Sequence, residues 1–370
     1  MKRQFYKKIA EQCVVEELLS EKIARDILLS SDVELISLLD SAYMVRKKFV
    51  GNSVTIHVIN NAQNGYCPED CHYCAQAKSS QADIEEYPLK SDQEILREAK
   101  RAHEGGAHRY CMVFAGRGPS QKRIEHLARL IRDIKSQCPI EVCVSAGLLD
   151  HDKAQVLAQA GLDRLNHNLN TSARHYSKIC TTHTYKDRLN TLQAARKAGL
   201  QICSGVILGM GETIEDVLEM AYTLRELSVE SIPVNFFIPI PGVQIKEQPT
   251  LTPEYCLRVL CLYRFLNPKA EIRIAAGRER YLRSMEVMAL YPANSLFLDG
   301  YLNAKGSQRT RTFQMIKDGG FTISSEYSID ELIAAETSTS NTGQEDLAVE
   351  IIMKDLKSLR PELGSSNPGT

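Results

Sequence analysis

The chain has 370 residues, of which 43% are hydrophobic and 25% charged, and its formal net charge is −1. This length supports one large domain or two ordinary ones, and the near-neutral charge gives no general signal for binding nucleic acid or a membrane surface. No run approaches the roughly 18 apolar residues that span a bilayer. The chain has eleven cysteines, and its N-terminus lacks the apolar core of a signal peptide. Both observations favour reduced thiols, and we expect a cytoplasmic protein.

Predicted helices and strands follow one another regularly along the chain. Residues 1–50 predict an N-terminal helical extension, because charged residues interrupt the apolar ones at amphipathic spacing. Beyond it, β-branched runs alternate with helix-patterned segments such as "SDQEILREAKRAHEGG", which begins with a Ser/Asp cap and ends at glycine. We predict strands at 53–60, 109–116, 140–147, 164–170, 201–208, 231–239, 271–277 and 295–302.

Eight strand–helix units predict an α/β fold, a (β/α)8 barrel of the TIM type over residues 51–335. A doubly wound open sheet is the alternative. Residues 336–370 predict a linker around "TSTSNTG" and a C-terminal amphipathic helix over "EDLAVEIIMKDLKSLR".

The stretch "CPEDCHYCAQ" places Cys67, Cys71 and Cys74 directly after the first strand, where barrel enzymes keep their chemistry. Three thiolates at this spacing can hold three corners of a 4Fe–4S cluster and leave one iron without a protein ligand. A closed zinc site needs a fourth ligand, and the direction of His72 is not fixed by the sequence. A redox pair would use Cys71 and Cys74 alone. The cluster is the favoured of these three hypotheses.

A second group of thiols lies inside predicted strands. Cys111, Cys143 and Cys203 fall in strands two, three and five, and Arg273 falls in strand seven. A single strand cysteine is commonly just a small buried apolar side chain. Side chains of the proper parity from different strands converge inside a barrel, however, so four such residues together indicate a site.

These motifs resemble a known family. The C-x3-C-x2-C spacing with the aromatic Tyr73 before the last cysteine resembles the radical S-adenosylmethionine superfamily. Over about residues 60–320, several segments in order resemble the biotin synthase family: "CPEDCHYCAQ", "RYCMVFAGRGP", "EVCVSAG", "GLDRLNHNLNTS", "TTHTYKDRLNTL", "ICSGVILGMGET", "IPVNFF" and "IRIAAGRE". The resemblance implies that Cys67, Cys71 and Cys74 hold a 4Fe–4S cluster whose open iron binds S-adenosylmethionine.

The same resemblance implies a substrate and a second cluster. Cys111, Cys143, Cys203 and Arg273 match the residues that hold an auxiliary iron–sulfur cluster, which donates sulfur while a 5′-deoxyadenosyl radical activates dethiobiotin. It also implies an electron donor such as flavodoxin or ferredoxin, and a homodimer.

Polar residues of the later strands match cofactor and substrate contacts of the family. Asn166, Asn168 and Asn170 alternate, so they share one face of a strand, and their amides can bond ribose hydroxyls and a cyclic urea. The family commonly has Asp where this chain has Asn170, and exposed loop positions are the alternative for all three. The remaining matched residues are Tyr73, Gly205 and Ile207 for the nucleoside, Gly209 beside them, and Asn235 for the substrate.

One residue departs from the family pattern. Cys180 stands where the family has an aliphatic side chain, and we hypothesise that it adds a thiolate that enlarges the auxiliary cluster from 2Fe–2S to 4Fe–4S. A buried free cysteine is the alternative. The histidines have no ligand-like spacing, and we assign none of them a catalytic role.

Two rival functions remain at this point. A hydrogenase-maturase-like or methylornithine-synthase-like radical enzyme would share the barrel and the cluster loop. A zinc-binding scaffold protein would use the three loop cysteines as structural ligands.

Overall fold

A computed structural model describes residues 2–246 and 251–339. Three helices precede the first strand: α1 (Lys2–Val14), α2 (Glu21–Leu29) and α3 (Leu35–Val50). α1 packs against α3, and all three contact a later helix, α9 (Pro253–Leu266), so the apolar faces that their amphipathic patterns predict are buried on the outer side of the barrel.

The strands are short and almost all buried. Their bounds are β1 (Ser53–Gln63), β2 (Arg109–Phe114), β3 (Glu141–Ser145), β4 (Arg164–Asn166), β5 (Gln201–Cys203), β6 (Val206–Leu208), β7 (Ser231–Phe236), β8 (Glu271–Ile274), β9 (Ser295–Leu298) and β10 (Thr322–Ile323).

Helices follow the strands as the alternating pattern predicts. They are α4 (Asp92–Glu104), α5 (Gln121–Gln137), α6 (His151–Gln159), α7 (Tyr185–Lys197), α8 (Ile214–Glu226), α9 (Pro253–Leu266), α10 (Arg278–Leu282), α11 (Arg309–Asp318) and α12 (Ile329–Thr339), with 3-10 turns at Tyr176–Lys178 and Arg283–Leu290. Side chains cap their N-termini as the sequence indicates: Ser91 accepts from the N–H of Glu94, whose carboxylate accepts from the N–H of Ser91.

The strands form a closed parallel barrel. β1 pairs with β2 on one side and with β9 on the other, so the sheet has no free edge at its first strand. The predicted (β/α)8 barrel is therefore confirmed, and the open-sheet alternative is wrong. β5 and β6 together fill the fifth strand position, and both pair with β7.

Two predicted strands differ from the structure for a local reason. The fourth ends at Asn166 rather than at residue 170, because Asn170 adopts a left-handed φ of 69° that a strand cannot contain. The fifth is interrupted around Gly205, where the chain steps past the carbonyl of Pro233. β10, which no sequence pattern indicated, adds a two-residue pairing to β1.

The C-terminal part is only partly described. α12 continues to Thr339 and so crosses the predicted start of the linker at residue 336. The rest of that linker and the predicted tail helix lie outside the described residues. Among the described helices, none is long and apolar enough to cross a membrane.

Candidate active site

A cavity of about 260 Å³ opens at the carboxyl ends of the barrel strands. This is the end at which barrel enzymes place their reactive groups. Predicted cofactor and substrate residues line it: Cys67, Cys71, Tyr73, Cys74, Asn166, Asn168, Asn170, Ile207 and Asn235. Tyr301 and Asn303, which the sequence did not indicate, line it as well.

We call Cys67, Cys71 and Cys74 the loop site. Their loop turns back on itself, because the N–H of Cys74 donates to the carbonyl of Cys71 (3.0 Å) and the N–H of Ala77 donates to that of Cys74 (3.2 Å). Burial raises the pKa of Cys67, and burial raises the pKa of Cys74 to about 11. The thiols therefore become thiolates when a metal centre replaces their protons.

Two carboxylates fasten this loop to the segment after β4. Glu69 accepts from the hydroxyl of Thr182 (2.7 Å) and from Nδ1 of His183 (2.5 Å). Asp70 accepts from the backbone N–H groups of Thr181 (2.9 Å) and Thr182 (3.1 Å). The loop is thus held by side chains rather than by a strand ladder.

Cys180 belongs to this outer group. Its Sγ lies 3.9 Å from Sγ of Cys71, 3.3 Å from Oδ1 of Asp70 and 3.3 Å from Nδ1 of His183. Cys71, Cys180 and His183 are all buried and lie close enough together to share one metal ion. The loop contacts hold this thiol beside Cys71 and not beside the strand cysteines, so its position favours the loop site over our hypothesis of a ligand for the auxiliary cluster.

The asparagines at the end of β4 and just after it form the wall between the loop and the barrel interior. Asn170 donates from Nδ2 to the hydroxyl of Tyr73 (2.5 Å), which ties the cluster loop to this wall. Asn166 donates to Oδ1 of Asn168 (3.2 Å) and to Sγ of Cys203 (3.2 Å). The three amides do face one cavity, although only Asn166 lies in the strand itself.

Asn235 and Gly205 have structural partners that the sequence did not reveal. The side-chain amide of Asn235 donates to the carbonyl of Val206 (2.9 Å) and accepts from the N–H of Ala276 (3.2 Å). These two hydrogen bonds fix the orientation of the amide in the cavity. A Cβ on Gly205 would lie 1.9 Å from the carbonyl oxygen of Pro233. The close approach of β7 by itself accounts for a glycine at this position, and the predicted contact of Gly205 with a nucleoside stays a prediction.

We call Cys111, Cys143, Cys203 and Arg273 the strand site. Cys111 and Cys143 face each other across β2 and β3, and hydrogen bonds link the three thiols in series. The bond between the first two lowers the pKa of Cys111 and raises that of Cys143 to about 12. A second cavity, of about 20 Å³, lies against Cys111, Cys143 and Arg273.

The arginine of the strand site is buried and incompletely paired. Nη1 of Arg273 points at Sγ of Cys203 (3.7 Å), and Nη2 donates to the hydroxyl of Ser231 (2.7 Å). Its Nε has no partner among the described residues, although buried donors are nearly always paired. A donor group left over beside three thiols fits a site that takes up a further, electron-rich group.

Beneath the strand site lies a layer of charged side chains, which we call the charged floor: His57, Arg109, Glu141, Arg164 and Glu271. Barrel interiors at this depth are normally filled with branched aliphatic residues. Glu271 is the centre of the layer, and its oxygens accept from Arg109 (2.9 Å), Arg164 (3.1 Å) and the ring of His57 (2.8 Å) as well as from Arg273.

The ionisation of the floor follows from these contacts. Although burial opposes it, the charges of Arg273 and Arg109 and the hydrogen bond from His57 lower the pKa of Glu271. Burial lowers the pKa of His57 to about 3, so its ring is neutral. The sequence did contain a signal for this layer, since Arg109, Glu141 and Glu271 each stand two residues before a strand-site residue and therefore share its face.

Family models match most of the barrel. Residues 64–224 match the Radical SAM superfamily, and residues 233–322 match the Biotin and Thiamin Synthesis associated domain. With the cysteine loop at the mouth of the barrel, these matches define the protein as a radical S-adenosylmethionine enzyme.

Curated relatives narrow the class. A biotin synthase of Magnetococcus marinus is 55% identical over 85% of this chain and 98% of its own length. Those of Acaryochloris marina (54%, 85% and 91%) and Leptospira interrogans (51%, 86% and 89%) are similarly close. The chain belongs to the biotin synthase family, which confirms the resemblance and sets aside the zinc-scaffold alternative.

Solved structures support the fold. Methylornithine synthase superposes with a TM-score of 0.74 at 19% identity, covering 88% of this chain and 99% of its own. The FeFe-hydrogenase maturase HydG from Carboxydothermus hydrogenoformans gives 0.72 at 18% identity, covering 88% of this chain and 81% of its own. At these identities the likeness concerns the barrel alone.

Proposed function

We propose that the loop site and the strand site have different roles in biotin synthesis. The loop site would hold a 4Fe–4S cluster with S-adenosylmethionine, and the strand site would hold the auxiliary cluster. The observation that carries this assignment is the burial of three thiols and an incompletely paired arginine deep in the barrel whose mouth carries the cysteine loop.

When bound, the loop cluster and S-adenosylmethionine supply a 5′-deoxyadenosyl radical, and the auxiliary cluster supplies the sulfur that is inserted into dethiobiotin. The protein's own residues position the reactants and exclude water. Tyr73 and Asn170, which are hydrogen-bonded to each other, would line one side of the nucleoside site. Ile207 would pack against the adenine.

Dethiobiotin would lie between the two metal sites. Asn166, Asn168 and Tyr301 line both the large cavity and the small one, so a molecule held by them is within reach of either site. The amide of Asn166 already donates to Sγ of Cys203 (3.2 Å), which supports a substrate position beside the strand site. Asn235 supplies a further fixed amide edge for the cyclic urea.

The strand site also argues against the rival radical enzymes. A maturase-like or methylornithine-synthase-like reaction requires no sulfur donor on the strands. Three thiols and an arginine cost the barrel the apolar packing that branched side chains would provide, and sulfur insertion accounts for that cost.

The setting of the enzyme is also a proposal. All eleven cysteines are unpaired, which supports a reducing compartment such as the cytoplasm and access to a low-potential donor such as flavodoxin or ferredoxin. Among the described residues, five of the six exposed large hydrophobic side chains lie in or beside the N-terminal helices, which supports a homodimer: Phe5, Val15, Leu18, Leu29 and Ile36.

The test uses protein reconstituted anaerobically with iron and sulfide. S-adenosylmethionine, a reductant and dethiobiotin are added, and biotin and 5′-deoxyadenosine are quantified by mass spectrometry. We expect up to about one biotin per chain and about two deoxyadenosines per biotin, because the sulfur source is consumed. Deoxyadenosine without biotin would overturn the substrate, and the absence of both products from the brown, cluster-loaded protein would overturn the assignment of the loop site.

A further inference from the structure

The loop that carries the loop site runs alongside the segment after β4 in the opposite direction. The N–H of His72 donates to the carbonyl of Ile179 (2.9 Å). Two residues earlier in the loop, the carboxylate of Asp70 accepts from the N–H of Thr181 (2.9 Å), two residues later in the other segment. A step back along one segment is thus a step forward along the other, as in an antiparallel pair of strands.

This register places two thiols opposite each other. Cys71 lies between the two contacts on the loop and Cys180 lies between them on the other segment, with their Sγ atoms 3.9 Å apart. Facing residues of an antiparallel pair have Cα atoms about 4.5–5.5 Å apart, which lies inside the range of about 4.4–6.8 Å that a disulfide spans. Both cysteines are on irregular backbone, so the sulfurs can close the remaining gap without breaking a strand ladder.

Small oxidants can reach this pair, whereas another protein cannot. Cys180 is 2% exposed and Cys71 is 9% exposed, and both belong to a buried cluster with apolar side chains such as Ile179 and Met210. Cys71 nevertheless lines the cavity at the mouth of the barrel, which admits a molecule of the size of hydrogen peroxide. A thiol that peroxide oxidises proceeds to sulfinic and sulfonic acid unless a second thiol intercepts the sulfenic acid. Cys180 is in position to do so.

A metal ion shared with His183 is the competing explanation for the short distance between the two thiols. Both ring nitrogens of His183 are engaged, however: Nδ1 with the carboxylate of Glu69 (2.5 Å) and Nε2 with Nη2 of Arg188 (3.0 Å). A metal ion on this ring would have to displace one of these partners. A disulfide leaves both in place, and a hydrogen bond between the two thiols is compatible with it because it holds the sulfurs together beforehand.

We propose that Cys71 and Cys180 form a reversible disulfide when the loop site holds no cluster. This rests on the proposed function, since in the loaded protein Cys71 would be bound to iron and withdrawn from the reaction. One thiol reduces hydrogen peroxide, becomes a sulfenic acid and releases water. The second thiol then displaces the sulfenic hydroxyl as a second water while the S–S bond forms. Two electrons pass from the sulfurs to the peroxide, and the two thiol protons leave in the water.

The disulfide would have two consequences for the loop site. It protects Cys71 from irreversible oxidation, because a disulfide is returned to thiols by a dithiol whereas a sulfonic acid is not. It also excludes iron until that reduction takes place, because one of the three loop thiolates is no longer available as a ligand.

The test treats the full chain, purified without its clusters, with hydrogen peroxide. The remaining thiols are alkylated in denaturant, and tandem mass spectrometry of the tryptic peptides distinguishes Cys71 from Cys67 and Cys74. We expect the Cys71–Cys180 disulfide to exceed any other disulfide of the three loop cysteines by at least about fivefold, because only this pair is held face to face. Dithiothreitol should remove it.

Iron uptake measures the consequence for the loop site. In the Cys143→Ala chain, which lacks one thiolate of the strand site, bound iron reports mainly on the loop. Peroxide should reduce the iron taken up by this chain at least about fivefold, and dithiothreitol should restore it, because the disulfide is reversible.

Cys180→Ser and Cys138→Ser are the matched variants, since both replace a buried cysteine. Peroxide should convert Cys71 to sulfinic or sulfonic acid at least about fivefold more in Cys180→Ser than in Cys138→Ser, because only the first variant lacks the intercepting thiol.

The outcomes separate this inference from the proposed function, and the wild-type chain alone suffices for the first of them. A Cys71–Cys74 disulfide, or oxidised Cys71 without the cross-link to Cys180, would overturn the inference whether or not the protein makes biotin. A Cys71–Cys180 cross-link in a chain that takes up no iron even when reduced would support the disulfide and overturn the proposed function instead.

Discussion

The loop site and the strand site present three thiols each, but the protein holds them in opposite ways. Cys67 and Cys74 are half-buried on irregular backbone, and side chains such as Glu69 and Asp70 tie their loop down. The strand-site thiols are buried on hydrogen-bonded strands whose register fixes their spacing. On the proposed assignment, the site that would admit and release a nucleoside cofactor lies at the mouth, whereas the site that would present sulfur lies in the rigid interior.

The charges around the two sites differ as well. Carboxylates surround the loop, while the strand site rests on a floor with buried arginines. Together with Arg273, the floor has three arginines and two glutamates, which leaves one positive charge beneath the strand site. Positive charge there favours the thiolate form and so opposes the burial that raises the pKa of Cys203.

The largest expected effects are losses of product, and they differ between the loop site and the strand site. In Cys71→Ala, both 5′-deoxyadenosine and biotin should fall by at least about 1,000-fold, because no radical forms without the loop cluster. In Cys143→Ala, biotin should be lost while deoxyadenosine formation stays within about tenfold, because the radical source is intact. Mass spectrometry of both products from each variant measures this.

Cys138→Ala is the matched control for these substitutions. Cys138 is buried at the end of α5, where its thiol contacts only the carbonyl of Ala99 among the polar groups described (3.8 Å), far from either site in the barrel wall. It should leave both products within about twofold. Equal loss of deoxyadenosine in the loop and strand variants would contradict the division of work between the sites.

The sequence predicts the loop site and the strand site to different extents. The loop site could be predicted because its three cysteines are adjacent in sequence, so spacing alone indicates a cluster. The strand site required the barrel, since Cys111, Cys143 and Cys203 are brought together by strand register. The charged floor was missed because its partners lie far apart in sequence: Glu271 bonds Arg109 and Arg164 across the barrel.

The rigidity of the strand site can be tested at Gly205. A methyl group there would lie 1.9 Å from the carbonyl of Pro233, so β7 must move away from the strand that carries Cys203. We expect Gly205→Ala to lower the free energy of unfolding by about 3 kcal/mol, as overpacking does, and to reduce auxiliary iron more than loop iron. Urea unfolding and iron and sulfide counts measure the two effects.

Gly199→Ala is the control for Gly205. Its φ of 81° makes a side chain unfavourable, but nothing lies within 4 Å of the added Cβ. The cost should be only about 1–2 kcal/mol, with no change in iron content. If both variants behave alike, the strand site is not set by the close approach of β7.

A smaller effect concerns the outer segment that carries the partners of the loop site. Asp216 accepts from the hydroxyl of Ser172 (2.5 Å), Nε of Arg174 (2.6 Å) and the N–H of Thr213 (2.7 Å). Although burial opposes it, these hydrogen bonds lower the pKa of Asp216. Asp216→Asn should reduce the free energy of unfolding at pH 7 by about 1–2 kcal/mol, because the amide keeps only part of this set.

The lowered pKa of Asp216 also predicts how its contribution to the free energy of unfolding depends on pH. The folded-state pKa lies below the unfolded value of about 3.9, so the stabilisation is fully present above pH 4 and is lost as the pH falls below it. The difference between wild type and Asp216→Asn in urea unfolding should therefore shrink as the pH falls below about 4. Asp133→Asn, on the exposed face of α5, should differ from wild type by less than about 0.5 kcal/mol throughout. A difference that stays constant with pH would show that the charge of Asp216 contributes nothing.

The smallest expected effect is at Cys180, where the two sites are most easily confused. From the sequence we hypothesise that this thiol is a ligand of the auxiliary cluster, with a buried free cysteine as the alternative. The contacts with Asp70 and Cys71 place it with the loop site. Cys180→Ser should therefore leave the iron and sulfide of the auxiliary cluster unchanged within about 10% of one cluster, since no auxiliary ligand is removed. Loss of auxiliary iron in this variant, with the loop cluster retained, would return Cys180 to the strand site and remove the clean separation of the two thiol groups.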